Sequence, residues 1–324
     1  MSKFKILSID GGGIRGIIPA TILAEIEKRA GKPISSLFNL LAGTSTGGIL
    51  ALGLVRPKPG QPDKPAYSAS EGVSFYEENG SQVFARDVWH RLHAAGNLAE
   101  ERYPSAGVES VLAKFFGETR LKEALTDVLI PAYDIERRVA YFFKSRKARL
   151  DAADDFTMRH AARATSAAPT FFEPVKIEQA GSSDYYAMVD GGIHSNNPAM
   201  CAYAEAKAHY KDTDPIIVVS LGTGQMTRPY LYEKVKTWGL IGWAQPLLDL
   251  IFDGMLGTVD YQLRQLLPDG VNVKHYYRFQ AMLDQDSGDI DDTQSKTVRR
   301  LKLLAEDIIR ERDRELDALC KQLV

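Results

Sequence analysis

The residues best suited to covalent chemistry form the segment Gly43-Thr44-Ser45-Thr46-Gly47. This G-x-S-x-G pattern is typical of a sharp strand-to-helix turn that exposes a serine hydroxyl, and its flanking glycines avoid steric collision at the turn. An apolar run, Leu37 to Ala42, precedes it, and a second run, Ile49 to Val55, follows it. The pattern predicts a strand, a tight turn and a buried helix around Ser45, and it favours nucleophilic attack on an acyl carbonyl.

A second glycine turn, Asp10-Gly11-Gly12-Gly13-Ile14-Arg15-Gly16, lies one strand-helix unit earlier. Consecutive glycines can present backbone N–H groups to an oxyanion, because no Cβ blocks close approach and glycine tolerates positive φ. The turn also matches the G-x-G-x-x-G pattern of a dinucleotide site, which requires an acidic residue about 20 residues on, at the end of a second strand. Lys28 to Ser36 contains no such residue and is not strand-like, and no Lys-Ser or Lys-Thr follows either glycine cluster. We therefore favour the oxyanion interpretation and keep nucleotide binding as its alternative.

A serine nucleophile needs a base, and the histidines are poorly placed to supply one. Asp190 is a better candidate, because it ends an apolar strand and is followed by Gly191 and Gly192, where the backbone can turn tightly. His194 lies four residues beyond Asp190 and leaves a histidine-assisted base open. Structural roles are favoured for the remaining histidines, which are His90, His93, His160, His209 and His275.

The elements that must position these residues alternate between strands and helices. Strands without polar alternation, separated by helices, predict a mostly parallel sheet covered on both faces, an α/β fold with three layers. The proline-rich stretch Arg56 to Ser70 predicts an exposed excursion. Predicted strands are Lys3–Ile9, Val128–Tyr133, Val139–Lys144, Tyr186–Val189 and Ile216–Leu221, and predicted helices are Pro19–Ala30, Thr157–Ser166, Ala199–Tyr210 and Ser295–Leu323.

The C-terminal third carries its most apolar segment from Trp238 to Gly257. Asp249 and Asp253 fall within it, and a charge in hydrocarbon costs roughly 2.5–3.5 kcal/mol, so a transmembrane helix is excluded. Packing in the core and contact with a membrane as an interfacial lid both remain open. We expect one domain, residues 1–324, with the chemical motifs in residues 8–224 and an elaboration in residues 225–324.

Composition limits the class of partner. The chain has 324 residues with 40 Lys and Arg against 42 Asp and Glu, a net charge of −2, which argues against nucleic-acid binding. Its two cysteines, Cys201 and Cys320, predict free thiols. Met1 leads directly into a strand pattern with no secretion signal, so a cytoplasmic location, peripheral at a membrane, is expected.

Four blocks in order, DGGGIRG, GTSTG, ATSAAPTFFEP and the DGG turn, resemble the patatin-like phospholipases. The resemblance implies a three-layer α/β/α fold, a Ser–Asp dyad without histidine, and release of fatty acids from phospholipids or other acyl lipids at a membrane surface. By position, Ser45 is the nucleophile and Asp190 the base. Gly11, Gly12 and Gly13 then form the oxyanion loop, which Arg15 braces. The motif glycines are Gly16, Gly43, Gly47, Gly191 and Gly192.

This mechanism requires no cofactor and no metal, although an aspartate with an ordinary pKa near 3.9 is a weak base for serine. The site must therefore raise that pKa by burial or couple proton transfer to attack. Phe171, Phe172 and Trp243 could form walls for an acyl chain, although packing in the core is the favoured interpretation for these aromatic residues.

Three alternatives remain open at this stage. One is an α/β-hydrolase esterase with a histidine-containing triad, although its serine elbow normally follows several strands and Ser45 follows the second. Another is a non-catalytic nucleotide- or lipid-binding module, which an intact Ser45 and Asp190 disfavour. The last is the same catalytic domain acting as a membrane-degrading antiphage effector switched on by a nucleotide.

Overall fold

The computed structural model of the chain describes residues 3–83, 103–179, 183–211, 213–227, 229–270, 273–284 and 288–324. Two of the histidines considered above, His90 and His93, lie outside the described residues.

A mixed sheet forms the centre of the fold. The strands of the described residues are β1 Phe4–Ile9, β2 Leu40–Gly43, β3 Pro57–Lys58, β4 Gln61–Pro65, β5 Asp127–Asp134, β6 Val139–Lys144, β7 Val175–Glu178, β8 Tyr185–Asp190, β9 Ile216–Leu221, β10 Gln225–Met226, β11 Tyr276–Phe279 and β12 Met282–Leu283. Within the described residues the central sheet has eight strands in the order β11-β9-β1-β2-β5-β8-β7, with β6 paired to β5. Two short two-stranded sheets lie apart from it.

Helices connect these strands and cover the sheet. Short 3₁₀ helices occur at Gly13–Gly16, Leu121–Glu123 and Ala152–Asp154. The α-helices are α1 Ile17–Ala30, α2 Ile34–Leu37, α3 Thr46–Val55, α4 Ala69–Val83, α5 Ser105–Phe116, α6 Ser145–Leu150, α7 Met158–Thr165, α8 Gly192–Ser195, α9 Ala199–His209, α10 Tyr232–Val235, α11 Leu240–Leu266, α12 Ser295–Glu311 and α13 Asp313–Leu323.

The central strands are buried on both faces, which confirms the predicted three-layer arrangement. In β1, Leu7 and Ile9 join the hydrophobic cluster under α1, α3 and α4, whereas Ile6 joins the cluster under α9. Alternate residues of a strand point to opposite faces, so a strand without polar alternation must be covered on both sides. The pairings from β11 to β5 are parallel, and β6, β7 and β8 add antiparallel pairings at the other end of the sheet.

One predicted helix is wrong, and the predicted excursion is exposed as expected but has regular structure of its own. The single helix expected from Ser295 to Leu323 is wrong, because α12 ends at Glu311 and α13 begins at Asp313, with Arg312 at φ −104° and ψ 22° between them. The exposed excursion after Arg56 contains the β3–β4 hairpin. The exclusion of a transmembrane helix is confirmed for the part of the chain that the structure describes, where no helix is long and apolar enough to cross a membrane.

Candidate active site

Ser45 occupies a strained turn between β2 and α3. Its φ of 53° and ψ of −124° lie in a region that residues with a side chain rarely adopt, and such conformations cost about 1–3 kcal/mol. The surrounding structure holds this geometry, since the Ser45 N–H donates to Thr165 Oγ1 at 2.9 Å, and that hydroxyl donates to the Pro131 carbonyl at 2.6 Å. The half-buried Ser45 side chain is thus presented at the carboxyl end of the sheet.

The glycines beside Ser45 permit the tight packing of this turn. A Cβ at Gly43 would lie 2.7 Å from the Gly48 nitrogen, and a Cβ at Gly47 would lie 2.6 Å from the Asp10 carbonyl oxygen. Both distances are shorter than real Cβ contacts, and the obstructing atoms are backbone atoms that cannot easily move. The G-x-S-x-G pattern therefore reflects the close approach of α3 to β1 and β2.

Asp190 ends β8 and is buried, with 5 % of its surface exposed. The Gly192 N–H donates to Asp190 Oδ1 at 2.7 Å, and the Ser45 side chain lies close enough to the carboxylate to influence its pKa. Burial is the largest influence and raises the pKa of Asp190 to about 7, against the opposing effects of the Gly192 N–H and the Ser45 side chain. A carboxylate with that pKa exchanges protons near neutral pH, which is the range a general base requires.

The glycine turn after β1 lies directly against Ser45. A Cβ at Gly11 would lie 3.3 Å from the Ser45 Cβ. The Gly11 N–H already donates to the Asn196 carbonyl at 3.0 Å, so it is not free to bind an oxyanion. Among the described residues, the N–H groups of Gly12 and Gly13 have no such partner. The candidate oxyanion donors therefore narrow from three glycines to two.

Arg15 contacts the backbone of this turn. Its Nε donates to the Gly12 carbonyl at 3.3 Å, and its Nη1 donates to the Gly288 carbonyl at 3.3 Å. The side chain therefore ties the glycine turn to the C-terminal part of the chain. These contacts agree with the bracing role that the resemblance implies for Arg15.

A buried polar network beneath the turn was missed by the sequence analysis. Asp10 forms an ion pair with Arg278 at 2.6 Å, and Arg278 also donates to Ser220 Oγ at 2.8 Å. Thr223 Oγ1 donates to the Gly11 carbonyl at 2.5 Å. Burial raises the pKa of Asp10, and the charge of Arg278 opposes that shift. The one sequence signal was Arg278 itself, a charged residue inside an otherwise aromatic strand, but nothing in the sequence assigns Asp10 as its partner.

His194 is engaged away from the nucleophile. Its Nε2 bonds to the Ala132 carbonyl at 3.0 Å, its ring lies 5.6 Å from that of Phe142, and burial lowers its pKa. In the part of the chain that the structure describes, no histidine forms a hydrogen bond or an ion pair with Ser45 or Asp190.

An apolar cleft of about 610 Å³, counted with its mouth, opens beside Ser45. Phe171 and Phe172 line it, which agrees with the acyl-wall alternative for these two residues. That alternative does not hold for Trp243, which does not line this cleft and packs against Trp238, with ring centroids 5.4 Å apart.

Helix α11 buries Leu263 in its second half and exposes several apolar side chains, three of them in its first half. Leu263 is fully buried against α9, whereas Leu247, Leu250 and Ile251 are 48 %, 40 % and 42 % exposed. The core interpretation of this segment does not hold for these three residues. Contact of the first half with a membrane stays a prediction.

The chain is similar to several known proteins. The family model described as patatin-like phospholipase matches residues 7–203. Patatin-like protein 2 of Oryza sativa subsp. indica is 32 % identical, over 93 % of this chain and 82 % of the relative. Patatin-like protein 4 of Arabidopsis thaliana is 30 % identical, over 94 % of this chain and 82 % of the relative. The solved type III effector protein ExoU aligns at a TM-score of 0.42 and 10 % identity, over 98 % of this chain and 54 % of the effector.

Proposed function

The chain belongs to the patatin-like phospholipase family, and we propose that it is a serine lipid acyl hydrolase of the phospholipase A or lysophospholipase type. In this proposal Ser45 is the nucleophile, Asp190 is the base, and the N–H groups of Gly12 and Gly13 bind the oxyanion. The observation that carries the proposal is the strained turn that presents Ser45 to an apolar cleft, with the buried carboxyl of Asp190, whose pKa is raised to about 7, beside it.

The proposed reaction proceeds through an acyl-enzyme. Ser45 Oγ bonds to the ester carbonyl carbon while its proton passes to Asp190, and the glycine N–H groups stabilise the resulting oxyanion. The tetrahedral intermediate then breaks the bond to the alcohol, which takes the proton from Asp190 and leaves. A water molecule attacks the acyl-enzyme in the same way, giving up a proton to Asp190. The fatty acid departs as Ser45 recovers its proton.

The raised pKa of Asp190 suits both halves of this cycle. A carboxyl that titrates near neutral pH can accept the serine proton and can return it to the leaving alcohol. An exposed aspartate would remain ionised throughout and would be a much weaker base. The apolar cleft beside Ser45 supplies the binding surface for a fatty acyl chain, which supports a lipid over a small polar ester.

The test is a comparison of wild type, Ser45→Ala and the matched control Ser36→Ala, an exposed serine far from the cleft. Each protein is incubated with phosphatidylcholine vesicles, and released fatty acids and lysolipids are quantified by mass spectrometry. Ser45→Ala should lose at least about a thousandfold in rate, because the nucleophile and its base act as one unit. Its melting temperature should stay near that of wild type.

One outcome would contradict the proposal, and a second would add a regulator to it. Retention of more than about a tenth of the wild-type rate by a folded Ser45→Ala protein would exclude Ser45 as the nucleophile. Wild-type activity that appears only after a cyclic nucleotide is added would instead favour the nucleotide-switched effector.

A further inference from the structure

A second apolar cavity continues from the cleft at Ser45. It has a volume of about 410 Å³ counted with its opening, and it shares Ile49, Phe75 and Tyr76 with the first cavity. Nothing in the proposed chemistry requires this second space.

The two cavities follow the same three helices in order. Ser45, just before α3, and Ile49 on α3 line the first cavity, whereas Ile49 and Gly53 line the second. Along α5, Val108 lines the first and Phe115 lines the second. The two cavities therefore lie end to end between α3, α4 and α5, leading away from the nucleophile.

The boundary between the cavities is apolar. The rings of Phe75 and Phe115 meet edge to face with their centroids 4.9 Å apart. The hydroxyl of Tyr76 is bound to Thr46 Oγ1 at 2.7 Å and to the Thr46 carbonyl at 3.2 Å, so its polar end is already satisfied. A hydrocarbon chain could pass this boundary without leaving a polar group unpaired.

Gly53 leaves room in the second cavity. A Cβ built on Gly53 would meet no atom within 4 Å, so close packing does not require glycine there. Glycine is the poorest helix former after proline, and an alanine at this point of α3 would favour the helix. The feature that glycine preserves at this position is open space.

We propose that the substrate's fatty acyl chain extends from the Ser45 cleft through this boundary into the second cavity, and that Gly53 determines the chain length accepted. The inference rests on the proposed function of Ser45. Gly53 lies eight residues along α3 from Ser45, or about 12 Å at the helical rise. A fully extended chain advances about 3.5 Å for every three bonds, so roughly ten bonds separate the ester from Gly53.

The test compares kcat/KM for p-nitrophenyl butyrate, octanoate and palmitate, dispersed in the same detergent, among wild type, Gly53→Ala and Gly53→Leu. Each methylene kept out of apolar contact should lower kcat/KM about fourfold. Gly53→Leu should lower the palmitate-to-butyrate ratio of kcat/KM by at least about tenfold, since two or more methylenes of the palmitoyl chain lose their apolar contact. Gly53→Ala, the matched control, fills far less space and should keep the ratio within about twofold of wild type.

A second variant keeps the inference testable if Gly53→Leu fails to fold, as its melting temperature would reveal. Phe75→Ala removes a ring from the boundary and should raise the palmitate-to-butyrate ratio at least about threefold, because longer chains gain access. An unchanged ratio in a folded Gly53→Leu protein, or an unchanged or lowered ratio in Phe75→Ala, would overturn the inference. Wild-type protein that hydrolyses none of the three esters would instead contradict the proposed function.

Discussion

Ionised Asp190 should destabilise the folded protein, and replacing it by Asn should remove that cost. The ordinary pKa of the carboxyl is 3.8, and burial raises the pKa of Asp190 to about 7. Because the folded pKa lies above the unfolded one, the stability due to this group is complete below pH 3.8 and is lost as pH rises through about 7. At about 1.36 kcal/mol per pH unit, the free energy of unfolding falls by roughly 4 kcal/mol across that window.

Asn is a suitable replacement because it keeps the shape of the side chain and does not titrate. Its Oδ1 can accept the Gly192 N–H that now lies 2.7 Å from Asp190 Oδ1, and its amide can donate to the Ser45 hydroxyl. The free energy of unfolding of Asp190→Asn relative to wild type should therefore rise with pH. Between pH 5 and pH 8 the expected increase in this difference is about 2.5 kcal/mol.

Urea unfolding at pH 5 and pH 8, followed by circular dichroism, measures this difference directly. Asp63→Asn, the same substitution at an exposed position on the β4 strand, is the matched control for the substitution itself. The variant should gain stability at pH 8 while losing activity, as expected where a catalytic group is held in an unfavourable environment. A difference between Asp190→Asn and wild type that stays constant between the two pH values would refute the burial argument.

Two further predictions concern residues around the site. His194→Ala should keep kcat for a short-chain ester within about threefold of wild type, because the His194 ring bonds to the Ala132 backbone carbonyl and not to the nucleophile. Steady-state kinetics measures this kcat. A fall in kcat to the level of Ser45→Ala would instead support a catalytic triad that includes His194. The double variant Leu247→Ser and Ile251→Ser should weaken cosedimentation with anionic vesicles by at least about tenfold, because both side chains are exposed and apolar. Its melting temperature and short-chain turnover should match those of the control Leu303→Ser, at a similarly exposed residue on α12. Unchanged cosedimentation of the double variant would contradict the prediction that α11 contacts the membrane as a lid.

Local patterns were sufficient to predict most elements that support the site. Strand β9 runs from Ile216 to Leu221 as predicted, since the short length of this apolar run and its β-branched Ile and Val residues favour a strand over a helix. Helix α1 also ends where predicted, with Gly31 in the left-handed conformation at its end. The break at Arg312 was not predictable, because neither glycine nor proline marks it.

The candidate nucleophile and base were recognisable because Ser45 and Asp190 each lie in a short motif with glycines beside it, and those glycines avoid steric collision in the folded chain. Which glycine N–H groups are free was not recognisable. The Gly11 N–H is taken by Asn196, a residue far away in sequence, and only the packed loops reveal that bond.

The sequence by itself determined the residue types, the order of the strands and helices, and the tight turns, because each depends on neighbours along the chain. Only the tertiary structure decided that Ser45 and Asp190 meet, because β5 stands between β2 and β8 in the sheet and brings their ends together. It also decided the pKa of Asp190, since desolvation depends on atoms from every surrounding element. Hydrogen bonding and burial between distant segments leave no periodic trace in the sequence, so this part of the chemistry emerges only when the chain is folded.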